Sequence, residues 1–159
     1  MKNYLLSIAC TLLMAPNVFA AVNLANVQCS FTDQSGMKLA ISMVKKNNVV
    51  GHTNIIQSGS QSVRPIRKIS LLATSPNYRA QMKDRKGQAI KSQNIPISIV
   101  RIFRQDPRDA VNSVIEATIP GEKVLRSNNP RSARAFVMTN ASMIFTNGMA
   151  ASLKGVCWK

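Results

Sequence analysis

His52 is the single histidine of the chain, so any histidine-dependent chemistry must run through one imidazole in the stretch VVGHTNII. A serine nucleophile would need that imidazole as base, a carboxylate to orient it, and the G-x-S-x-G elbow that exposes the serine; no such elbow occurs. Two cysteines and one histidine, the set left if Cys10 departs with an N-terminal signal segment, do not fill a tetrahedral structural metal site. The six acidic residues are Asp33, Asp84, Asp106, Asp109, Glu116 and Glu122, and most fall in turn-like sequence. Asp106-Pro107-Arg108-Asp109 could hold a cation, yet it matches a helix start better: a capping aspartate, proline at the first helical position and an acid in the first turn. Neither a phosphate-binding loop nor a dinucleotide fingerprint is present. No catalytic residue, metal set or cofactor is assigned, and a non-enzyme is expected.

The thiols point to a covalent framework. Residues 1–20 carry Lys2, an apolar run from Leu5 to Met14, and the small-residue pattern Val18-Phe19-Ala20. This reads as a signal peptide cleaved between Ala20 and Ala21. The run falls short of the roughly 20 residues that cross a bilayer. Cys10 leaves with that segment, and the residues before it lack the leucine of a lipoprotein signal. Cys29 and Cys157 remain, an even pair in an exported chain, and are expected to form one disulfide near the two ends. Closing so long a loop is worth about 5 kcal/mol in the chain-entropy account. Residues 21–159 are then one domain, and no second apolar run is long enough to span a membrane.

Charge sets the class of partner. The chain has 21 Lys+Arg against 6 Asp+Glu, net +15, and loss of Lys2 lowers that by one. The excess bears on partners and solubility, not on fold. Its cations cluster as Arg64, Arg67 and Lys68; as Arg79, Lys83, Arg85 and Lys86; as Arg101, Arg104 and Arg108; and as Arg126, Arg131 and Arg134. Arg101 and Arg104 fall on opposite faces of a strand. Arg79, Lys83, Arg85 and Lys86 flank a hairpin tip, and Arg126, Arg131 and Arg134 surround another loop. These seven residues are the candidate ligand-binding set, on the expectation that the two loops converge at one end of the fold. Aromatics make up only 5% of the chain, too few to interleave with the cations as base-stacking platforms. Backbone-phosphate attraction therefore suits the chain better than sequence-specific nucleic-acid binding.

The elements that must position these residues are strands. Turn signals recur at Asp33–Gly36, Lys46–Asn48, Ser58–Ser60, Ser75–Asn77, Asp84–Gly87, Asp106-Pro107, Pro120-Gly121, Ser127–Pro130 and Asn147-Gly148. MKLAISMV alternates Met37, Leu39, Ile41 and Met43 against polar or small residues, a half-buried strand. IPISIVRIF is apolar on both parities, as a central strand would be, with Pro96 marking a bulge or a strand start. SMIFTNGMAASL reads as a hairpin around a type I′ Asn-Gly turn. Residues 107–116 read equally as a short helix or, through VNSVIEATI, as a strand. Asn140-Ala141-Ser142 matches a glycosylation sequon, a pattern common by chance.

NVQCSF puts Val27, Cys29 and Phe31 on one face, and SLKGVCWK puts Leu153, Gly155 and Cys157 on one face, with Trp158 on the other. A bridge between them brings the first and last strands together, which is also how a barrel closes and loses its edges. A small antiparallel β-barrel is expected, with a two-sheet sandwich as the alternative and at most one or two short helices. The functional expectation is an exported basic binding protein of the bacterial cell envelope, periplasmic or secreted. Its ligand would be a polyanion such as lipopolysaccharide phosphate, an acidic glycan or nucleic acid. The alternative is an accessory subunit or inhibitor that binds an acidic protein surface. The natural ligand and the oligomeric state stay open at this point.

Overall fold

In the computed structural model, which describes residues 23–44, 50–104, 113–145 and 147–159, the alternation in MKLAISMV becomes a strand whose Met37, Leu39, Ile41 and Met43 are buried. The described residues form eight strands in chain order. They are β1 (Gln28–Thr32), β2 (Lys38–Ser42), β3 (His52–Gln57), β4 (Ser60–Asp84), β5 (Ala89–Arg104), β6 (Val114–Pro120), β7 (Ala135–Ile144) and β8 (Ala150–Trp158). One helical turn and a half, α1 (Glu122–Ser127), joins β6 to β7. The strands close into an antiparallel barrel, each pairing with the next and β8 returning to β1. The barrel, not the sandwich, is the architecture adopted.

Closure rests on the two parity sets at the ends of the chain. Cys29 lies directly opposite Cys157 in the β1–β8 register, Phe31 lies opposite Gly155, and the disulfide links cysteines 128 positions apart. Both cysteines point inward with Val27, Phe31 and Leu153 into the main core, which also takes Leu39, Ile102, Ile115 and Leu125. Gly155 is fixed by space: a Cβ there would stand 1.9 Å from the Ser30 carbonyl oxygen and 2.6 Å from the Phe31 Cα. Trp158, on the other parity, is half-buried and pairs with Gln28.

The turns follow local chemistry. Asp84–Gln88 is a three-residue hairpin loop: Gly87 takes a positive φ of 81°, and the Asp84 carboxylate accepts the amides of Lys86 and Gln88. Asp33–Met37 repeats the arrangement, with Asp33 accepting the Met37 amide. The Asn147-Gly148 hairpin closes between Phe145 and Met149: the Phe145 amide donates to the Met149 carbonyl, the Gly148 amide donates to the Phe145 carbonyl, and Gly148 has a positive φ of 78°. It is thus a three-residue turn and not the type I′ turn expected there. The type I′ requirement of two positive φ values is met instead at Ser58-Gly59, between β3 and β4.

A further expectation needs correction, and one open reading is resolved. Ser75-Pro76-Asn77 does not turn the chain; it is a register shift inside β4, where the pairing passes from Ser75–Ile97 to Tyr78–Ile95. Proline there only removes one ladder donor, which a bulge tolerates. Residues 114–120 are strand β6, paired with β5 along its length and with β7 through Ala117, so of the two readings left open for 107–116 the strand holds from Val114 onward, and 107–112 lie outside the described residues. The turn at Lys46–Asn48 and the region 105–112, which includes Asp106, Arg108 and Asp109, lie outside the described residues, as do Cys10 and the segment 1–20.

Strand β4 is the unusual element. It pairs with β5 through Ile66–Lys83, with β3 through Ser60–Pro65, and with the start of β7 through Gln81–Asp84. That last pairing is a chord across the barrel, and it joins β4, β5, β6 and β7 in a smaller cycle. A second apolar cluster fills this cycle, built from Ala80, Ile95, Ile97 and Val137, with Met82 and Val124 packed on it.

Candidate functional site

The β4–β7 chord sets the positions of the basic loops. Lys83 stands opposite Phe136 and Asp84 opposite Ala135, so the tip of the β4–β5 hairpin comes down beside the loop that leaves α1. Arg85 then reaches across and donates from Nε to the Ala133 carbonyl at 2.9 Å. On the facing loop, the Asn129 carboxamide oxygen accepts the Arg131 amide, and the Asn129 carbonyl accepts the amides of Ser132 and Ala133. This compact turn carries Arg131 and Arg134 on its exposed side.

Asn128 anchors that loop from below. It is 1% exposed, and its carboxamide donates to the carbonyls of Val137 and Cys157 and accepts the Val137 amide. By binding both backbone groups of one β7 residue, the side chain stands in for a missing strand neighbour where β7 and β8 part. The sequence Ser-Asn-Asn-Pro reads only as a loop, and nothing in it signals that its first asparagine is structural.

Lys83, Arg85, Lys86, Arg131 and Arg134 are therefore brought together on two adjoining segments. Arg79 lies further back on β4, opposite Asn94. Arg126 sits on α1 and is already engaged: its Nε donates to Glu122 at 2.9 Å. Glu122 also receives Lys159 Nζ at 3.0 Å, which ties the last residue to α1. The Lys159 hydrogen bond, and after it the Arg126 hydrogen bond, hold the Glu122 carboxyl below its ordinary value. Asp84, the one acid at the tip, spends its Oδ1 on backbone amides. Among the described residues no carboxylate pairs with Lys83, Lys86, Arg131 or Arg134. Asp84 is the one described carboxylate at the tip, set among five cations on the two segments.

Beside these loops a half-open pocket of about 490 Å3 lies between β4, β5, α1 and the start of β7, with Met82, Ile95, Val124 and Val137 in its wall and Lys123 at its border. Charge clustering in the sequence does not single out Lys123, nor Lys91, which pairs with Met82 just past the hairpin tip. Pairing across the turn was the signal for Lys91, because it follows Gly87 at about the distance at which Lys83 precedes it.

The other candidates are dispersed. His52 is exposed at the start of β3, opposite Ser42 and Pro65. Arg101 pairs with Glu116 on the neighbouring strand, and Arg104 donates to the Ser113 hydroxyl. Tyr78 accepts a hydrogen bond from Asn140 of the sequon, and a second aromatic, Phe136, stands opposite Lys83 at the junction itself. No family model matches the chain, and neither the characterised proteins nor the solved structures compared with it include a significant match.

Proposed function

We propose that the chain is an exported, non-enzymatic binding protein of the bacterial envelope, and that the hairpin tip and the loop after α1 together attract a polyanion. The observation that carries this reading is the docking of Arg85 on Ala133. With the β4–β7 pairing it brings the segments that carry Lys83, Lys86, Arg131 and Arg134 side by side, and no described carboxylate forms an ion pair with these four. A rigid cation cluster is worth more to an anion than the same charges on free loops, because less ordering is lost on binding. Arginine adds paired donors that fit phosphate, sulfate or carboxylate. Lipopolysaccharide phosphates, acidic glycans and nucleic-acid backbones share that chemistry.

The test is retention on immobilised heparin, followed by competition with lipopolysaccharide, an acidic polysaccharide and single-stranded DNA. Binding through this cluster weakens steeply with salt, since several cations act together and each interaction is screened within about 10 Å at 0.1 M ionic strength. Retention that does not respond to salt contradicts the proposal. The second reading, a module that binds an acidic protein, draws support from a different part of the molecule.

A further inference from the structure

Between its pairing with β3 and its pairing with β7, β4 has only one described neighbour. Pro65 is the last residue paired to β3 and Gln81 the first paired to β7, while β5 lines the opposite edge throughout. No described backbone group bonds to residues 67–80 from the open side; the Ile66 amide, donated to Gly51, is the last. A free edge of this length offers a row of amides and carbonyls to another strand, and natural proteins normally shorten, cover or charge such edges. Within Ile69–Thr74 the side chains are Ile, Ser, Leu, Leu, Ala and Thr, with no charge and no proline. Leu71 is 54% exposed and Leu72 44% exposed.

We propose that the Lys68–Ser75 edge of β4 takes up an extended, acidic segment of a partner protein as an added strand. Strand addition gives affinity through the main chain and specificity through alternate side chains. Leu71 and Leu72 supply apolar contacts, and flanking charge sets the sign of the partner. Arg67 and Lys68 stand at one end of the edge and Arg79 near the other, all exposed, and the whole strand holds no acid before Asp84. The same charges argue against a second copy of this chain, because antiparallel pairing of two β4 edges would set cation against cation. Register shifts at 66–68, 71–73 and 75–78 leave Lys68–Leu71 and Ala73–Ser75 in regular pairing with β5, so two short ladders are available on the outer edge. This site lies apart from the basic loops and does not rest on the polyanion reading.

The experiment uses a fluorescent peptide of about seven residues alternating Glu and Val, a length matched to the open edge. It is compared with the same peptide N-methylated at alternate residues, which cannot pair. Fluorescence anisotropy reads binding, and amide hydrogen exchange reads protection along β4. The unmodified peptide should bind and slow exchange within Lys68–Ser75. The variant Leu71→Asp/Thr74→Asp, altered only at exposed positions, should bind about tenfold more weakly through like-charge opposition across the new pair. Lys86→Gln/Arg131→Gln/Arg134→Gln should bind the peptide as the wild type does. Absence of binding at millimolar peptide overturns the proposal, and so does equal binding of the N-methylated peptide or loss of binding in the loop variant.

Discussion

Arg85 and Ala133 lie 48 residues apart, and the bond from the arginine Nε to the alanine carbonyl locks the β4–β5 tip onto the loop that follows α1. Three features of the barrel meet at that junction. The length of β4 delivers the tip, the chord to β7 sets its register, and Asn128 stiffens the receiving loop.

Asn128→Ala should cost about 3 kcal/mol, because it leaves buried backbone groups of Val137 and Cys157 without partners. Asn128→Asp should be worse: a carboxylate cannot donate to either carbonyl and would be buried beside them. Urea titration of the three proteins checks the order, and equal midpoints for wild type and Asn128→Ala would remove the structural role given to this side chain.

Cutting the barrel's closure should also be costly. Cys29→Ala/Cys157→Ala is expected to lose 2–5 kcal/mol, roughly the range seen when small exported domains lose a native bridge. The bridge is buried, with both cysteines at most 1% exposed. Added reductant should therefore act slowly on the folded protein and quickly after denaturant opens it. Rapid reduction under native conditions would contradict the paired, inward position of the two sulfurs.

Gly155→Ala separates packing from backbone strain. Its new methyl would meet the backbone of Ser30 and Phe31, in a strand held on both sides by Phe31 and Thr139. A loss of about 3 kcal/mol, at the upper end for overpacking, is expected. Gly148→Ala has open space around it and only a positive φ of 78° to resist, so it should lose about 1 kcal/mol. Thermal melts of the pair should keep that order.

The strands were legible where one face is buried and the other wet. MKLAISMV and NVQCSF each declare their inward set by parity alone, and the parity around Cys157 predicts the closing pair. Other features were hidden for physical reasons. The 25 residues of β4 look broken at Ser75-Pro76-Asn77, because a bulge absorbs the proline without ending the strand. Helix α1 is six residues long and starts at Gly121 with no side-chain cap, so neither periodicity nor capping announces it. That the two basic loops meet depends on the β4–β7 chord, a pairing between strands distant in sequence. Local pattern supplies the cations of each loop but not their junction.

The Glu122–Lys159 contact should respond to acid. The folded carboxyl titrates below its ordinary value of 4.5, chiefly through the Lys159 hydrogen bond. A depressed carboxyl adds stability above its unfolded value, and that contribution fades as pH falls through the folded one. Below about pH 4.5 the Trp158 indole resonance should shift as the Lys159 side chain releases Glu122, while the Lys159 amide keeps its bond to the Leu125 carbonyl, and Glu122→Gln should erase this transition. Persistence of the transition in the variant would assign it to another group.

The most direct test of the account is the salt concentration at which the protein leaves immobilised heparin. Lys86→Gln/Arg131→Gln/Arg134→Gln should elute at clearly lower salt than wild type. Arg64→Gln/Arg67→Gln/Lys68→Gln, an equal loss of formal charge away from the junction, should elute close to wild type. Equal shifts in the two variants would mean that net charge alone drives retention, and would contradict a binding surface at the β4–β5 tip.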